Sequence, residues 1–211
     1  MLNEKLFSAS EGKILAMGII MAFTLTMFLL ITYYINPAYA NKISGMVVTN
    51  IAVGRVPSIS LGYASGLSHF TVIFINVLVE MIMVSILYPL FVFSFNNILK
   101  IKRLEKFFSD VQNYKKEHQK LFDRYGMIGL FIFVFIPFWM TGPIVGSMIG
   151  YMLGMKHCNT MAIVAVATAI AITLWGIFLH GLLDMLMHIN STLIWIFLAA
   201  VVALFLIIRL R

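Results

Sequence analysis

The sequence predicts an all-α integral membrane protein built from inverted-topology repeats. Each repeat is a re-entrant helical hairpin followed by a spanning helix, and one extra spanning helix stands at each end of the chain. Three observations predict this. The chain is 62% hydrophobic and 11% charged, with a mean hydropathy of +0.99, and its apolar runs are too long for a soluble fold to cover. Glycines recur every fourth residue at Gly142, Gly146, Gly150 and Gly154, which lines one helix face and lets a second helix approach to backbone contact. The same register returns 88 residues earlier as Gly54, Ser58, Gly62 and Gly66, with Gly62-Tyr63 answering Gly150-Tyr151 and His69 answering His157. Small-residue ladders in matching places of two halves point to a transport-type site at the repeat interface. The plain alternative is two packing seams with no site.

The elements follow in order within one membrane domain, 1–211. Ile14 to Ile35 is almost continuously apolar, about twice the ~7–15 residues of a signal-peptide core, so it reads as a retained spanning helix. Ala38-Tyr39-Ala40 nevertheless has the small-x-small form of a cleavage site, which keeps removal of this helix as the minority reading. Ile43 to Leu67 is apolar but punctured by Gly45, Gly54, Pro57, Gly62 and Gly66, and it carries Arg55. Backbone cannot be left unsatisfied in lipid, so this broken segment is expected to form a re-entrant hairpin, residues 43–67. Phe70 to Phe95 then spans with tilt, with Glu80 near its middle.

Residues 96–124 form a polar tract with eight Lys or Arg against four acidic residues. Leu99, Ile101, Leu104, Phe107, Phe108 and Val111 recur within it at roughly helical spacing, so it reads as an amphipathic helix on the cytoplasmic membrane surface. Met127 to Pro137 is wholly apolar but only eleven residues long, about half of a ~30 Å hydrocarbon core at ~1.5 Å per residue. Pro137 and Thr141-Gly142-Pro143 break it, and the glycine ladder brings the chain back, giving a second hairpin over 127–155. Spanning helices over 161–183 and 192–208 complete the layout.

Charge orients it. With the N-terminus inside, every Lys and Arg except Lys42 and Arg55 falls on the cytoplasmic side, as the positive-inside rule requires. The first hairpin then enters from outside and the second from inside, and both termini are cytoplasmic. The net charge of +7 sits beside the apolar spans, where it sets topology, so nucleic acid is not an expected partner. The single cysteine, Cys158, allows no internal disulfide and reads as a small apolar filler.

At Tyr125-Gly126-Met127-Ile128-Gly129-Leu130-Phe131, through Ile136-Pro137 and Thr141-Gly142, the chain resembles the small multidrug export protein family. Leu61-Gly62-Tyr63-Ala64-Ser65-Gly66-Leu67-Ser68 looks like that family's first-half motif, so the resemblance covers roughly residues 43–175. The family is regarded as a relative of the DedA (VTT, SNARE-associated) superfamily of lipid-translocating membrane proteins. The resemblance implies export of an amphiphilic or cationic small molecule across a bacterial or archaeal cytoplasmic membrane. This chain departs from the family pattern in several places. Trp139 stands for the family's second proline, Ile144 for its usual tryptophan and Gly54 for an acidic residue before the first ladder. Val134 and Met140 occupy the places where the DedA branch has arginines, so a lipid-phosphate site of that kind does not carry over.

Glu80 is the sharpest single residue. A carboxylate in mid-span costs several kcal/mol unless paired, hydrated or protonated, so it marks either proton or cation coupling or a structural partner for Arg55. Arg55 either faces an anionic head group, with backbone donors added by neighbouring half-helix ends, or snorkels to the outer surface. Pro57, Pro137 and Pro143 free backbone carbonyls at the hairpin tips, where Thr141, Ser58 and Ser60 can hydrogen-bond, making a substrate site or simple satisfaction of the break. His180, Asp184 and His188 recur at i, i+4, i+8, a spacing that could hold a metal but more commonly marks the polar end of a helix. No nucleophile elbow, zinc-protease pair or nucleotide loop is present. The sequence therefore predicts a non-enzyme without cofactors, a small transporter open to proton coupling whose partners are membrane lipids and a small-molecule or lipid substrate. A homo-oligomer is compatible with it. A scramblase or flippase for a phospholipid or polyprenyl phosphate is the first alternative, and a non-transporting membrane structural factor the second.

The topology has a direct test. Single cysteines placed at Ser68 and Ser191 should label with an impermeant reagent from outside, and one at Lys156 only from inside; labelling of the Ser68 and Lys156 positions from one side would refute the inverted arrangement.

Overall fold

The computed structural model describes residues 10–98, 119–135 and 142–189. These form seven helices: α1 (Ser10–Ile35), α2 (Pro37–Ala52), α3 (Arg55–Ala64), α4 (His69–Ile98), α5 (Gln119–Phe135), α6 (Gly142–Met152) and α7 (His157–Ile189). Three of them are long and apolar enough to cross a membrane, over Glu11–Ile35, His69–Phe93 and His157–Leu182. The chain is an α-helical membrane protein. The segment at 192–208 and most of the polar tract at 96–124 lie outside the described residues.

Local chemistry explains the joints. Asn36 ends α1 and caps α2: its side-chain oxygen accepts the Tyr39 N–H at 3.1 Å, and Pro37 takes the first helical position, where a missing N–H costs nothing. The first arm therefore begins at Pro37 instead of the expected Ile43. The second arm is also longer than expected. Its helix starts at Gln119, because the polar turn containing Lys120 and Asp123 is already helical. Gly54 separates α2 from α3 at φ 122°, ψ 179°, a conformation that side chains rarely adopt.

The helix ends at the two ladders are alike atom for atom. In the first, the Leu67 N–H bonds to the Gly62 carbonyl at 3.1 Å and the Gly66 N–H to the Tyr63 carbonyl at 2.8 Å. In the second, Met155 bonds to Gly150 and Gly154 to Tyr151 at the same two distances, and Gly66 and Gly154 both have φ 73°. This is a left-handed glycine cap with crossed hydrogen bonds, satisfying carbonyls that the helix end leaves open. It corrects the reading of these two glycines as packing positions. A Cβ on Gly66 would meet nothing within 4 Å, and Gly154 is exposed.

The packing glycines are the inner ones. A Cβ on Gly62 would lie 2.7 Å from Met46 Sδ and 2.8 Å from Val72, and one on Gly150 would lie 2.6 Å from Thr160 and 3.2 Å from Leu130. Val72 and Thr160 are themselves 88 residues apart, so each half packs its short helix against the start of the next long one in the same way. Gly146 lies against Val134, as Ser58 lies against the Met46 backbone. Gly142 and Pro143 open α6 and are buried. Gly18 and Gly176 are close-approach positions that the ladder pattern does not contain. Gly18 brings α1 to within contact of the Ser85 backbone, and Gly176 brings α7 onto Ile73 and Tyr63.

Contacts along α4 give the directions. Tyr39 meets Thr71 (3.2 Å), Asn50 meets Asn76 (2.6 Å), Arg55 meets Glu80 (3.4 Å) and Tyr63 meets His69 (2.7 Å). The α2–α3 pair therefore meets the start of α4 through Tyr39 and Tyr63 and meets Asn76 and Glu80 further along it. At the other end of α4, Tyr88 meets His157, the first residue of α7. Two apolar cores result. One gathers Ile43, Met46, Ile59, Val72, Val79 and Ile172; the other gathers Val84, Tyr88, Leu130, Val134, Val164 and Ala167. α4 and α7 run through both. α1 lies at the periphery, with 11% of its span buried against 44% for α4.

Gly150→Leu should lower folded yield sharply, because overpacking costs ~1–3 kcal/mol even where neighbours can move and here a leucine would meet Thr160 and Leu130. Gly181→Leu, where nothing lies within 4 Å, should express as wild type. Equal yields by fluorescence-detected size exclusion would refute the seam.

Candidate functional site

The seam between the two cores holds the buried charges. Arg55 is the first residue of α3, placed there by the Gly54 turn, and Glu80 lies on α4 between Val79 of one core and Val84 of the other. Both side chains are 6% exposed, with Arg55 Nε 3.4 Å from Glu80 Oε1. Arg55 Nη2 also donates to the Val134 carbonyl at 3.2 Å. Val134 lies in the last described turn of α5. One guanidinium thus ties α3, α4 and α5 together. The structure pairs Arg55 with Glu80, the structural alternative given for Glu80, and leaves Arg55 buried where snorkelling would bring it to the surface.

The site is incompletely satisfied. Arg55 Nη1 and Glu80 Oε2 are buried without a hydrogen-bond partner, as are Asn50 Oδ1, Thr160 Oγ1 and Thr168 Oγ1. Buried polar atoms ordinarily find partners, so the pair itself, through Arg55 Nη1 and Glu80 Oε2, offers a donor and an acceptor to something that enters it. Thr168 stands on α7 at the position 88 residues after Glu80, between Ala167 of one core and Ile172 of the other. Asn76, one turn before Glu80, bonds to Asn50 and back to the Val72 carbonyl. Neither Thr168 nor the Asn50–Asn76 pair stood out in the sequence, although Asn76 at i−4 from Glu80 was a legible signal.

The other sequence candidates sit apart. Ser58 donates to the Met46 carbonyl at 2.7 Å and Ser60 to Val56 at 3.0 Å, closing local backbone gaps. Pro143 is buried in the first turn of α6. Pro137 and Thr141 lie outside the described residues, as does the His188 side chain. His180 Nε2 is 3.5 Å from Asp184 Oδ2 on a half-exposed surface, and its ring lies 4.9 Å from that of Tyr63. Among the described residues no group of three or more ligating side chains could hold a metal ion. Cys158 is exposed, which corrects its reading as filler.

Each end of the bundle also carries a tyrosine–histidine bond. At one end Tyr63 Oη meets His69 Nδ1 at 2.7 Å. At the other Tyr88 Oη meets His157 Nδ1 at 2.7 Å, and His157 Nε2 lies 3.1 Å from Glu11 Oε1. All three groups are satisfied when Tyr88 donates to Nδ1 and Nε2–H donates to Glu11. Between α1 and α4 runs an apolar groove of about 470 Å³, lined by residues including Met21, Phe28, Phe74 and Leu78, with Tyr39 and Thr71 as its polar end.

These features define a class: an α-helical membrane protein with a buried ion pair where an interrupted helix pair meets a spanning helix. The chain belongs to the small multi-drug export protein family, whose profile matches residues 55–174, more than half of its length. The matched stretch begins at Arg55 and includes Glu80, Gly150 and Thr168. Neither the curated proteins nor the solved structures contain a match to this chain.

Removing one partner of the pair should be far worse than removing both. Glu80→Ala leaves a buried guanidinium unpaired and should cost ~3–5 kcal/mol, whereas Arg55→Met with Glu80→Met should recover most of it. Denaturation of the purified variants in detergent checks this; additive losses in the double variant would show that the pair is not coupled.

Proposed function

We propose that this protein is a small membrane transporter that exports an amphiphilic or cationic small molecule, with Glu80 as its proton-coupling carboxylate. The observation that carries the reading is the buried, half-satisfied Arg55–Glu80 pair at the turn of the α2–α3 arm. An ionisable pair inside a membrane bundle is retained at a cost, and that cost is most simply repaid by function. We read α2–α3 and α5–α6 as opposed re-entrant hairpins. The contacts of Tyr39 and Tyr63 with the His69 end of α4, and of Tyr151 with His157 at the other end, support this.

The geometry supplies a mechanism. Arg55 holds Glu80 with one part of its guanidinium and the end of α5 with another. Protonation of Glu80 removes the charge that anchors Arg55, which weakens the tie between the two halves and lets one arm move against the other. Release of the proton restores the tie. The groove between α1 and α4 has a size that suits a drug-like molecule and an almost wholly apolar wall, which supports an amphiphilic substrate. Flipping of a lipid phosphate is less well supported, because the charge of Arg55 is already paired with Glu80 and Nη1 alone is left without a partner. The absence of catalytic motifs in the sequence agrees with a non-enzymatic role.

Transport of a cationic dye by protein reconstituted in vesicles tests the reading. Glu80→Gln keeps an amide oxygen for Arg55 but cannot cycle a proton, so it should fold and lose the dependence on a pH gradient. Glu80→Asp should retain that dependence. Gradient-driven transport that persists in well-folded Glu80→Gln protein rules the coupling role out. A purely structural Glu80 would instead give a destabilised Gln variant, rescued by adding Arg55→Met.

A further inference from the structure

A second cavity, of about 770 Å³, opens where α1 and α7 both begin. Its walls change character with depth. Lys13 and Lys156 stand at its mouth, and Met17, Met155 and Met161 line the apolar part. Met17 is one helical turn beyond Lys13 along α1, and Met161 is about one turn past His157 along α7, so the apolar wall lies toward the bilayer centre. Both lysines are exposed, and neither forms an ion pair among the described residues. The nearby carboxylate does not neutralise them, since Glu11 faces His157 at 3.1 Å. The mouth is therefore a net cationic surface above an apolar trough, at the level where two spanning segments leave the membrane.

We infer that this cavity binds one anionic phospholipid, with the phosphate between Lys13 and Lys156 and an acyl chain along Met17 and Met161. Charge complementarity selects the headgroup: basic pockets between spanning helices take acidic lipids, and an ammonium near the surface attracts them. The apolar trough selects a lipid over a free anion, which has nothing to gain from methionine. Flexible thioether side chains suit acyl chains of varied length. A bound lipid here bridges α1, the peripheral helix, to the start of α7, a junction at which the protein itself supplies the Glu11–His157 contact. The site is independent of the Arg55–Glu80 pair and does not rest on transport.

The chain's single cysteine lies in the cavity wall and is exposed, so it reports occupancy without any engineering. The full-length protein in nanodiscs of phosphatidylcholine, with or without phosphatidylglycerol, is treated with N-ethylmaleimide and the rate of Cys158 labelling is followed. Phosphatidylglycerol should slow labelling severalfold in the wild type. In Lys13→Gln/Lys156→Gln protein, which experiences the same bulk surface charge, the slowing should be lost. Native mass spectrometry should show a phosphatidylglycerol adduct that the double variant does not retain. Three results would overturn the inference: no protection by phosphatidylglycerol, as when the chain's own residues 1–9 fill the cavity; equal protection in the double variant; or protection by inorganic phosphate that matches the lipid, which would make this a free-anion site.

Discussion

A helix that ends inside an apolar bundle leaves carbonyls with no donor of their own, and nothing in lipid can supply one. This constraint runs through the whole molecule. Arg55 donates to the Val134 carbonyl in the last described turn of α5 while its charge is paired with Glu80. Ser58 and the two glycine caps answer it elsewhere with neutral groups. A buried ion pair is a costly way to satisfy backbone, since desolvation offsets much of its Coulomb energy. The presence of one here, where serines suffice at comparable breaks, is what separates the Arg55 turn from the rest of the fold.

The two halves share their backbone and differ in their chemistry. Crossed hydrogen bonds, left-handed glycines and the contact of each inner glycine with the next long helix recur at a separation of 88 residues. At the seam, Glu80 corresponds to Thr168 and Arg55 to Pro143. Packing tolerates such changes as long as volume and closeness are kept, whereas a second ion pair would add another desolvation cost without a second carbonyl to serve. Local backbone features thus recur 88 residues apart, while the buried ion pair occurs at the first of the two places among the described residues.

The tyrosine–histidine bonds show the same economy at the ends of the bundle. The rings of Tyr63 and His69, and of Tyr151 and His157, stack at matching places on either side of the glycine caps. In the second half the histidine's hydrogen bond goes to Tyr88 of α4 instead, and its other nitrogen turns to Glu11 of α1. The contact fastens the peripheral helix, which otherwise rests on α4 through apolar groups and the close approach at Gly18.

By itself the sequence determined what depends on composition and local order. Length and apolarity made the chain a membrane protein, since no soluble core could cover runs such as residues 14–35. Proline and glycine placed the break at Gly54, and the register of Gly62-Tyr63 with Gly150-Tyr151 marked the two places where glycine caps recur. Spacing could not distinguish roles within the ladder, because a glycine that admits a neighbouring helix and one that reverses the chain at a helix end look identical in a four-residue repeat. Only the tertiary structure separated Gly62 and Gly150 from Gly66 and Gly154. It alone decided that Arg55 turns inward, because the choice between pairing and snorkelling depends on whether Glu80 and the end of α5 reach the same depth. Those partners lie 25 and 79 residues away along the chain, a distance over which periodicity carries no information and packing carries all of it.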